Sequence, residues 1–250
     1  MRFQRYNLVI GLLLLWAFGC EAAAGDQPSS QMFDAKGVRI HYLAQGTGEA
    51  VVLIHGWYSS ATINWRLPGT IAALARDHQV IALDLPGYGQ SDKPNDARAY
   101  GAQWVEDLVL LLDHLNVRKA HVVGYSMGGI VALKFTAEHP DRVLSGILGG
   151  MGWMPQGGAL QKVWEHMRGV SARAVGELAV SEEALRAIRV PVLVLIGDRD
   201  PVRQLYVAPL QRVRNDWPVV EIRDAGHLNC IFKPQFIDEV VNWVDANRQQ

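Results

Sequence analysis

The sequence is poor in cysteine, and its charges are balanced. Its 250 residues contain only Cys20 and Cys230, so we expect neither a disulfide framework nor a cysteine-based metal site. The 24 Lys and Arg side chains nearly cancel the 25 Asp and Glu side chains, and this balance excludes the basic surface typical of nucleic-acid binding. HExxH, P-loop and Rossmann GxGxxG motifs are also missing. The composition therefore predicts a globular protein without a metal ion, a cofactor or a nucleic-acid partner.

The apolar run near the amino terminus is too short to span a bilayer. Leu8–Cys20 has 13 residues, whereas a spanning helix needs about 20. The run follows two arginines and precedes the small residues "EAAAG", which is typical of a secretory signal peptide. We predict a signal peptide over residues 1–24 and an exported protein, periplasmic or secreted; a short uncleaved anchor is the alternative. "AFGC" also loosely resembles a bacterial lipoprotein box, in which a lipid on Cys20 would attach the protein to a membrane.

The remaining chain alternates short apolar runs with longer amphipathic segments. We interpret residues 25–35 as a linker that precedes one domain over residues 36–250. Val38–Ala44 alternates with period two, which predicts an edge strand. Continuous apolar runs, typical of strands buried on both faces of a parallel sheet, occur at Val51–His55, Gln79–Leu85, Ala120–Gly124, Val143–Gly150 and Val190–Gly197, with a shorter run at Pro218–Ile222.

Helical segments separate these strands. Apolar residues recur at helical spacing in Tyr100–Leu115 and Gln235–Ala246, and Gly129–Glu138 is mostly apolar. Strands that alternate with helices predict the α/β class, with a mainly parallel central sheet covered by helices on both faces.

The interval over about residues 151–188 is longer than one crossover helix requires. "ALQKVWEHM" places Leu160, Val163, Trp164 and Met167 on one helix face, and Ser181 is a candidate N-cap for a later helix. We predict a small helical cap of two or three helices here, and we expect most of its apolar side chains to complete the core.

One serine stands among glycines directly after a predicted buried strand. In "VVGYSMGG" the glycines at positions 124 and 128 would clear space around a sharp strand-to-helix turn that exposes Ser126. A serine hydroxyl needs a base, a group that orients the base, and donors for the developing oxyanion. The context favours a working nucleophile over a structural turn that contains a passive serine.

Six segments in this order resemble the α/β-hydrolase fold family over about residues 36 to 247. They are "VLIHGW", "ALDLPGYGQSD", "VVGYSMGG", "EHPDRV", "VLIGDRDP" and "AGHLNC". The resemblance implies that Ser126 is the nucleophile of a catalytic triad and that the "ALDLPGYGQSD" loop, with Asp84 and Asp92, is structural.

The resemblance also implies the partners of Ser126. His227 occupies the loop in which the family keeps its base, whereas His55 is expected to shape its own loop. We interpret the remaining histidines as surface or core residues: His41, His78, His114, His121, His139 and His166. The family pattern at the end of the last long strand selects Asp200 as the orienting acid and leaves Asp198 in the turn.

Two backbone N–H groups are the expected oxyanion donors, those of Trp57 and Met127. The side chains of Tyr58, Tyr125, Trp153 and Met154 are candidates for the wall of a substrate pocket; packing under the cap is their alternative role.

A serine nucleophile indicates acyl chemistry, since the haloalkane dehalogenases and epoxide hydrolases of this fold attack with aspartate. We predict a serine hydrolase that cleaves a small-molecule carboxylic ester through an acyl-enzyme. The alternatives are a carbon–carbon bond hydrolase, a cofactor-free perhydrolase or haloperoxidase, and a ligand-binding receptor that retains the triad.

Overall fold

The computed structural model of the chain describes residues 27–249. The predictions for residues 1–24, including the lipidation of Cys20, lie outside this range. Among the residues described, no helix combines the length and the apolar character that crossing a membrane requires.

Eight strands form one sheet in the order β1-β2-β4-β3-β5-β6-β7-β8. The strands are β1 (Ser29–Ala35), β2 (Val38–Gln45), β3 (Glu49–Ile54), β4 (His78–Leu83), β5 (Ala120–Tyr125), β6 (Val143–Gly149), β7 (Val192–Gly197) and β8 (Val219–Ile222). Strands β3 to β8 pair in parallel, and β1 and β2 join them as an antiparallel hairpin. The predicted mainly parallel sheet is confirmed.

Helices cover both faces of this sheet. They are α1 (Thr70–Leu74), α2 (Ala102–His114), α3 (Met127–Glu138), α4 (Ala159–Glu165), α5 (Val170–Ala174), α6 (Glu182–Ala187), α7 (Ala208–Val213) and α8 (Pro234–Ala246). In β3, Val52 and Ile54 face the core cluster that contains α2 and α3, whereas Val51 and Leu53 face the cluster that contains α1 and α8. Both faces of the strand are therefore buried, which explains its continuous apolar run.

The amino-terminal edge of the sheet differs from the prediction. The interpretation of residues 25–35 as a linker is wrong for Ser29–Ala35, which forms β1 and makes β2 an internal strand. The connecting residues Lys36 and Gly37 both have positive φ, 55° and 95°, as in the tight two-residue turns that join hairpin strands. The overlooked sequence signal is this Lys-Gly pair, which directly precedes the alternating segment Val38–Ala44.

The segment between β6 and β7 carries α4, α5 and α6, as predicted for the cap. Ser181 caps α6, because its Oγ accepts a hydrogen bond from the Ala184 N–H at 3.1 Å. Leu160 and Trp164 pack against the main core, but Val163 of the same helix is 59% exposed. The cap thus shares its core with the sheet layer instead of forming one of its own.

Candidate active site

Ser126 lies at the turn between β5 and α3 in a strained conformation. Its backbone angles are φ 54° and ψ −120°, a region that non-glycine residues rarely occupy. A β-carbon on Gly124 would overlap the carbonyl oxygen of Gly128, and one on Gly128 would overlap the carbonyl oxygen of Ile54. Both glycines therefore provide the clearance that the sequence predicted for an exposed serine.

The structure brings Ser126, His227 and Asp200 into one hydrogen-bonded chain. Ser126 Oγ lies 2.8 Å from His227 Nε2, and His227 Nδ1 lies 2.8 Å from Asp200 Oδ2. The Asp200 side chain is fully buried, and its Oδ1 accepts a hydrogen bond from the Val202 N–H at 2.9 Å. An ionised carboxylate can only accept, so the proton of the neutral imidazole resides on Nδ1 and Nε2 faces Ser126 as an acceptor.

The neighbouring Asp198 has a different task. Its two carboxylate oxygens accept hydrogen bonds from the N–H groups of Ala225 and Asp224, each at 2.9 Å. These backbone hydrogen bonds hold the pKa of Asp198 below its ordinary value. Asp198 therefore ties the end of β7 to the loop that carries His227, which agrees with the turn role expected for it.

Tyr125 also holds His227, a contact that no sequence pattern indicated. Its hydroxyl donates a hydrogen bond to the carbonyl oxygen of His227, and the two rings stack with centroids 5.9 Å apart. The tyrosine is 4% exposed, and burial raises its pKa above the ordinary value, so the phenol stays protonated. We predicted the Tyr125 side chain as part of the pocket wall. It lines the cavity beside Ser126 and also positions His227.

The loop after β3 packs directly against the nucleophile. A β-carbon on Gly56 would lie 3.2 Å from the β-carbon of Ser126, and the Gly56 N–H donates to Asn64 Oδ1 at 2.8 Å. Within residues 27–249, the N–H groups of Trp57 and Met127 have no acceptor. Met127 also opens α3, whose amino-terminal end favours negative charge.

His55 fixes this loop as a neutral ring. Its Nδ1 lies 2.7 Å from the Gly56 carbonyl oxygen, and its Nε2 accepts from the Leu85 N–H at 3.1 Å. Burial holds the pKa of His55 below its ordinary value. The expectation that His55 shapes its loop is confirmed. Asn64, which performs a similar task, carried no sequence signal, since a single asparagine in a helical segment has no motif around it.

The loop after β4 is structural, as expected. The buried Asp84 accepts hydrogen bonds from the Ala61 N–H at 2.7 Å, the Gln90 N–H at 2.8 Å and His41 Nδ1 at 2.8 Å. Asp92 pairs with Arg39 of β2 at 3.0 Å. These contacts join β2, β4 and the segment after β3 at the edge of the site.

A cavity of about 230 Å³ opens beside Ser126. Trp57, Tyr58 and Tyr125 contribute to its wall, together with residues that follow His227. Burial raises the pKa of the nearby Cys230 thiol to about 12, so this thiol is protonated and unreactive at neutral pH. No group of three His, Cys, Asp or Glu side chains in the part of the chain described could hold a metal ion.

The structure does not bring two of the predicted pocket residues to this cavity. Trp153 and Met154 are 6% and 1% exposed and contribute nothing to its wall. Trp153 Nε1 donates to the Val180 carbonyl oxygen at 2.8 Å, and the Val180 N–H donates to the Met154 carbonyl oxygen at 3.1 Å. These bonds bury the segment against the loop before α6, so packing under the cap is the correct assignment for both side chains.

Comparisons with known proteins agree with this geometry. Residues 49–173 match the family model of the alpha/beta hydrolase fold. The chain is 32% identical over 189 residues to the 2-hydroxymuconate semialdehyde hydrolase of Pseudomonas sp. (strain CF600), which is 71% of this chain and 66% of that protein. It is 39% identical over 126 residues to the dihydrolipoyllysine-residue acetyltransferase component of the acetoin cleaving system of Cupriavidus necator, 49% of this chain and 33% of that protein.

A solved structure of a membrane phospholipase A, described as a bacterial virulence factor, superposes with a TM-score of 0.71 at 26% identity, covering 90% of this chain and 88% of that chain. The chain thus spans slightly less than two thirds of the length of the first curated relative and one third of the second. The matched model covers half of the chain and includes the nucleophile turn. The chain belongs to the α/β-hydrolase fold family.

Proposed function

We propose that the protein is a serine hydrolase that cleaves carboxylic esters through an acyl-enzyme. The observation that carries the proposal is the chain of two 2.8 Å hydrogen bonds from Ser126 through His227 to the buried Asp200. This series of hydrogen bonds supports the proposal, because acyl transfer to a serine requires a nucleophile activated by a base.

In the first half-reaction, Ser126 Oγ would attack the ester carbonyl carbon while His227 Nε2 takes its proton. Asp200 would stabilise the resulting imidazolium through Nδ1. The Trp57 and Met127 N–H groups, which lack other acceptors, would hold the oxyanion, and each such donor typically contributes about 2.7–4 kcal/mol to the transition state.

Collapse of the tetrahedral intermediate would break the acyl C–O bond, and His227 would return the proton to the departing alcohol. In the second half-reaction, the same base would deprotonate a water molecule that attacks the acyl-enzyme. One water is consumed, and one carboxylic acid and one alcohol are released.

The lining of the cavity favours an uncharged ester over a carboxylate substrate. Neither Lys nor Arg is among the described residues that form its wall, whereas Trp57, Tyr58, Ile63 and Phe232 are. An anionic substrate that leaves water needs a cation or several convergent donors. The likeness to a phospholipase A supports an ester substrate, because the acyl chains of phospholipids are held by ester bonds.

Carbon–carbon bond hydrolysis is the second candidate. It is favoured by the likeness to a 2-hydroxymuconate semialdehyde hydrolase, which is named for a substrate that is itself an acid. The same triad would serve that reaction, so the substrate decides between the two candidates.

The test compares turnover of p-nitrophenyl esters of increasing acyl length with turnover of a 2-hydroxy-6-oxo-dienoate. We expect steady ester turnover, its loss in Ser126→Ala and its retention in the control Ser29→Ala, a serine on the exposed edge strand. A fluorophosphonate should label Ser126 with one equivalent. Faster turnover of the dienoate would favour carbon–carbon hydrolysis, and absence of turnover with both substrates would favour a ligand-binding receptor.

We also propose export of the protein, on the pattern of residues 1–24 alone. Mass spectrometry of the mature amino terminus distinguishes cleavage near residue 24, a lipid on Cys20 and an intact leader.

A further inference from the structure

Exposed large apolar side chains concentrate around the mouth of the Ser126 cavity. Four of them line it, with exposed fractions of 80% for Tyr58, 46% for Ile63, 86% for Leu228 and 48% for Phe232. Leu67, which is 68% exposed, lies four residues after Ile63. We call these five side chains the rim. Elsewhere in the residues described, exposed large apolar side chains are scattered at Met32, Val163 and Leu205.

The backbone that builds the site also presents the rim to solvent. Tyr58 has φ 51°, a left-handed conformation that is unfavourable for a bulky residue. Ile63 and Leu67 share the outer face of one helical segment, since residues four apart lie on the same side and Asn64 and Trp65 are buried on the other. Clusters of apolar residues on such a surface mark an interaction site.

Two cations flank the rim. Arg66 precedes Leu67 and Lys233 follows Phe232, and neither forms an ion pair within residues 27–249. The Arg66 guanidinium donates instead to the neutral Gln27 Oε1 at 2.7 Å. Among the described residues that line the cavity mouth, none is acidic. Apolar side chains next to cations match an anionic lipid surface, in which the apolar groups enter the acyl region and the cations meet the headgroups.

Gln27, the first residue that the structure describes, lies close to the same surface. Gln27 contacts Arg66, one helical turn from Ile63, and Cys20 lies seven residues before it. Seven residues span at most about 25 Å. This length is enough for a lipid on Cys20 to enter the bilayer that the rim contacts.

We propose that the rim inserts into an anionic lipid surface and that ester substrates enter the Ser126 cavity directly from it. The second part rests on the proposed esterase function; the first part does not. A second copy of the chain on the rim would close the mouth of the cavity, whereas a lipid layer supplies it with substrate.

The test measures binding of the full chain, in the Ser126→Ala background, to sedimented vesicles of phosphatidylcholine with or without one third phosphatidylglycerol. We expect Leu228→Ser and Phe232→Ser each to weaken binding about tenfold, since each substitution removes a large apolar side chain that insertion would bury. Arg66→Gln combined with Lys233→Gln should weaken binding about thirtyfold on the anionic vesicles only. Met32→Ser, an exposed apolar residue on β1, is the matched control and should bind like the parent.

Binding of the Leu228→Ser and Phe232→Ser proteins equal to that of Met32→Ser would overturn the proposal, because attachment would then arise outside the rim. A stable dimer in light scattering that these variants dissociate would also overturn it, in favour of a second copy. The Ser126→Ala background cannot turn over, so binding is measured independently of activity. Rim-dependent binding without any ester hydrolysis by the wild-type protein would refute the esterase and the entry of ester substrates from the lipid, and it would leave insertion of the rim intact.

Discussion

Replacement of Asp200 by asparagine should reverse the tautomer of His227 while the geometry of the site is retained. Asp200 Oδ1 accepts from the Val202 N–H at 2.9 Å, and Oδ2 faces His227 Nδ1 at 2.8 Å. In Asp200→Asn the amide oxygen would keep the Val202 bond, because two N–H groups cannot face each other. The amide NH₂ would then face Nδ1, which must accept, so the ring proton moves to Nε2.

A protonated Nε2 cannot take the proton of Ser126, whose Oγ is 2.8 Å away. The corresponding Asp→Asn change in a serine-protease triad costs about four orders of magnitude in kcat, which corresponds to about 5 kcal/mol of transition-state stabilisation. KM should change little, since Asp200 is buried behind His227 and does not line the cavity.

The matched control is Asp198→Asn, two residues away. Asp198 contacts the backbone of residues 224 and 225 and not the imidazole, so its loss should lower the melting temperature and leave most of kcat. The assay is steady-state hydrolysis of a soluble p-nitrophenyl ester, with thermal unfolding of both variants. A large loss of kcat in Asp198→Asn together with an active Asp200→Asn would refute the assignment of the orienting acid.

Three further predictions concern a glycine in the nucleophile turn, the hydroxyl of Tyr125 and the buried His121. Gly128→Ala should unfold the protein at much lower temperature, because its β-carbon would overlap a strand carbonyl, whereas Gly157→Ala meets nothing within 4 Å and should cost about 1–2 kcal/mol for its positive φ. Tyr125→Phe should lower kcat about fivefold, since one hydrogen bond to the backbone of the catalytic loop is lost; an unchanged kcat with an unchanged pH profile would argue against a positioning role. Burial holds the pKa of His121 below its ordinary value, so the unfolded chain takes up a proton first and stability should fall as pH decreases below about 6.5. The melting temperature of His121→Gln should depend less on pH than that of the parent, and an equal dependence would show that other groups cause the loss.

Residues whose role depends on local backbone geometry were predictable from the sequence. Ser126 lies between two glycines that the turn requires. His227 and Asp200 were assigned through the family resemblance, and they follow β8 and β7. Parallel strands end at one edge of a sheet, so groups at those ends meet although they are distant in the chain. The central strands and α3 were recovered from their apolar runs, and α2 and α8 from apolar residues at helical spacing, because burial on both faces or on one face leaves these patterns.

Roles that depend on tertiary contact were not predictable in this way. The hydroxyl of Tyr125 meets a backbone oxygen about a hundred residues later, and nothing near position 125 records that partner. Trp153 and Met154 have the composition of a pocket wall, but a bridge between Pro155 and Val180 draws their segment under the cap. Strand β1 was missed because half of its length is exposed and polar, so only the turn after it carried a signal.

The two sides of the cavity follow different physical rules. On the inner side, Asp198 and Tyr125 hold the loop that carries His227, and Asn64 holds the loop after β3. Each does so through a hydrogen bond to the backbone. Such contacts do not adapt to the substrate, so this side determines the reaction and tolerates little change.

On the outer side, Tyr58 and Leu228 have few protein contacts, as their 80% and 86% exposure shows. Substitution there should change which surface or substrate the enzyme meets without unfolding it. Under the proposed esterase function, a panel of substitutions at positions 58 and 228 should alter acyl-length preference more than it alters the melting temperature.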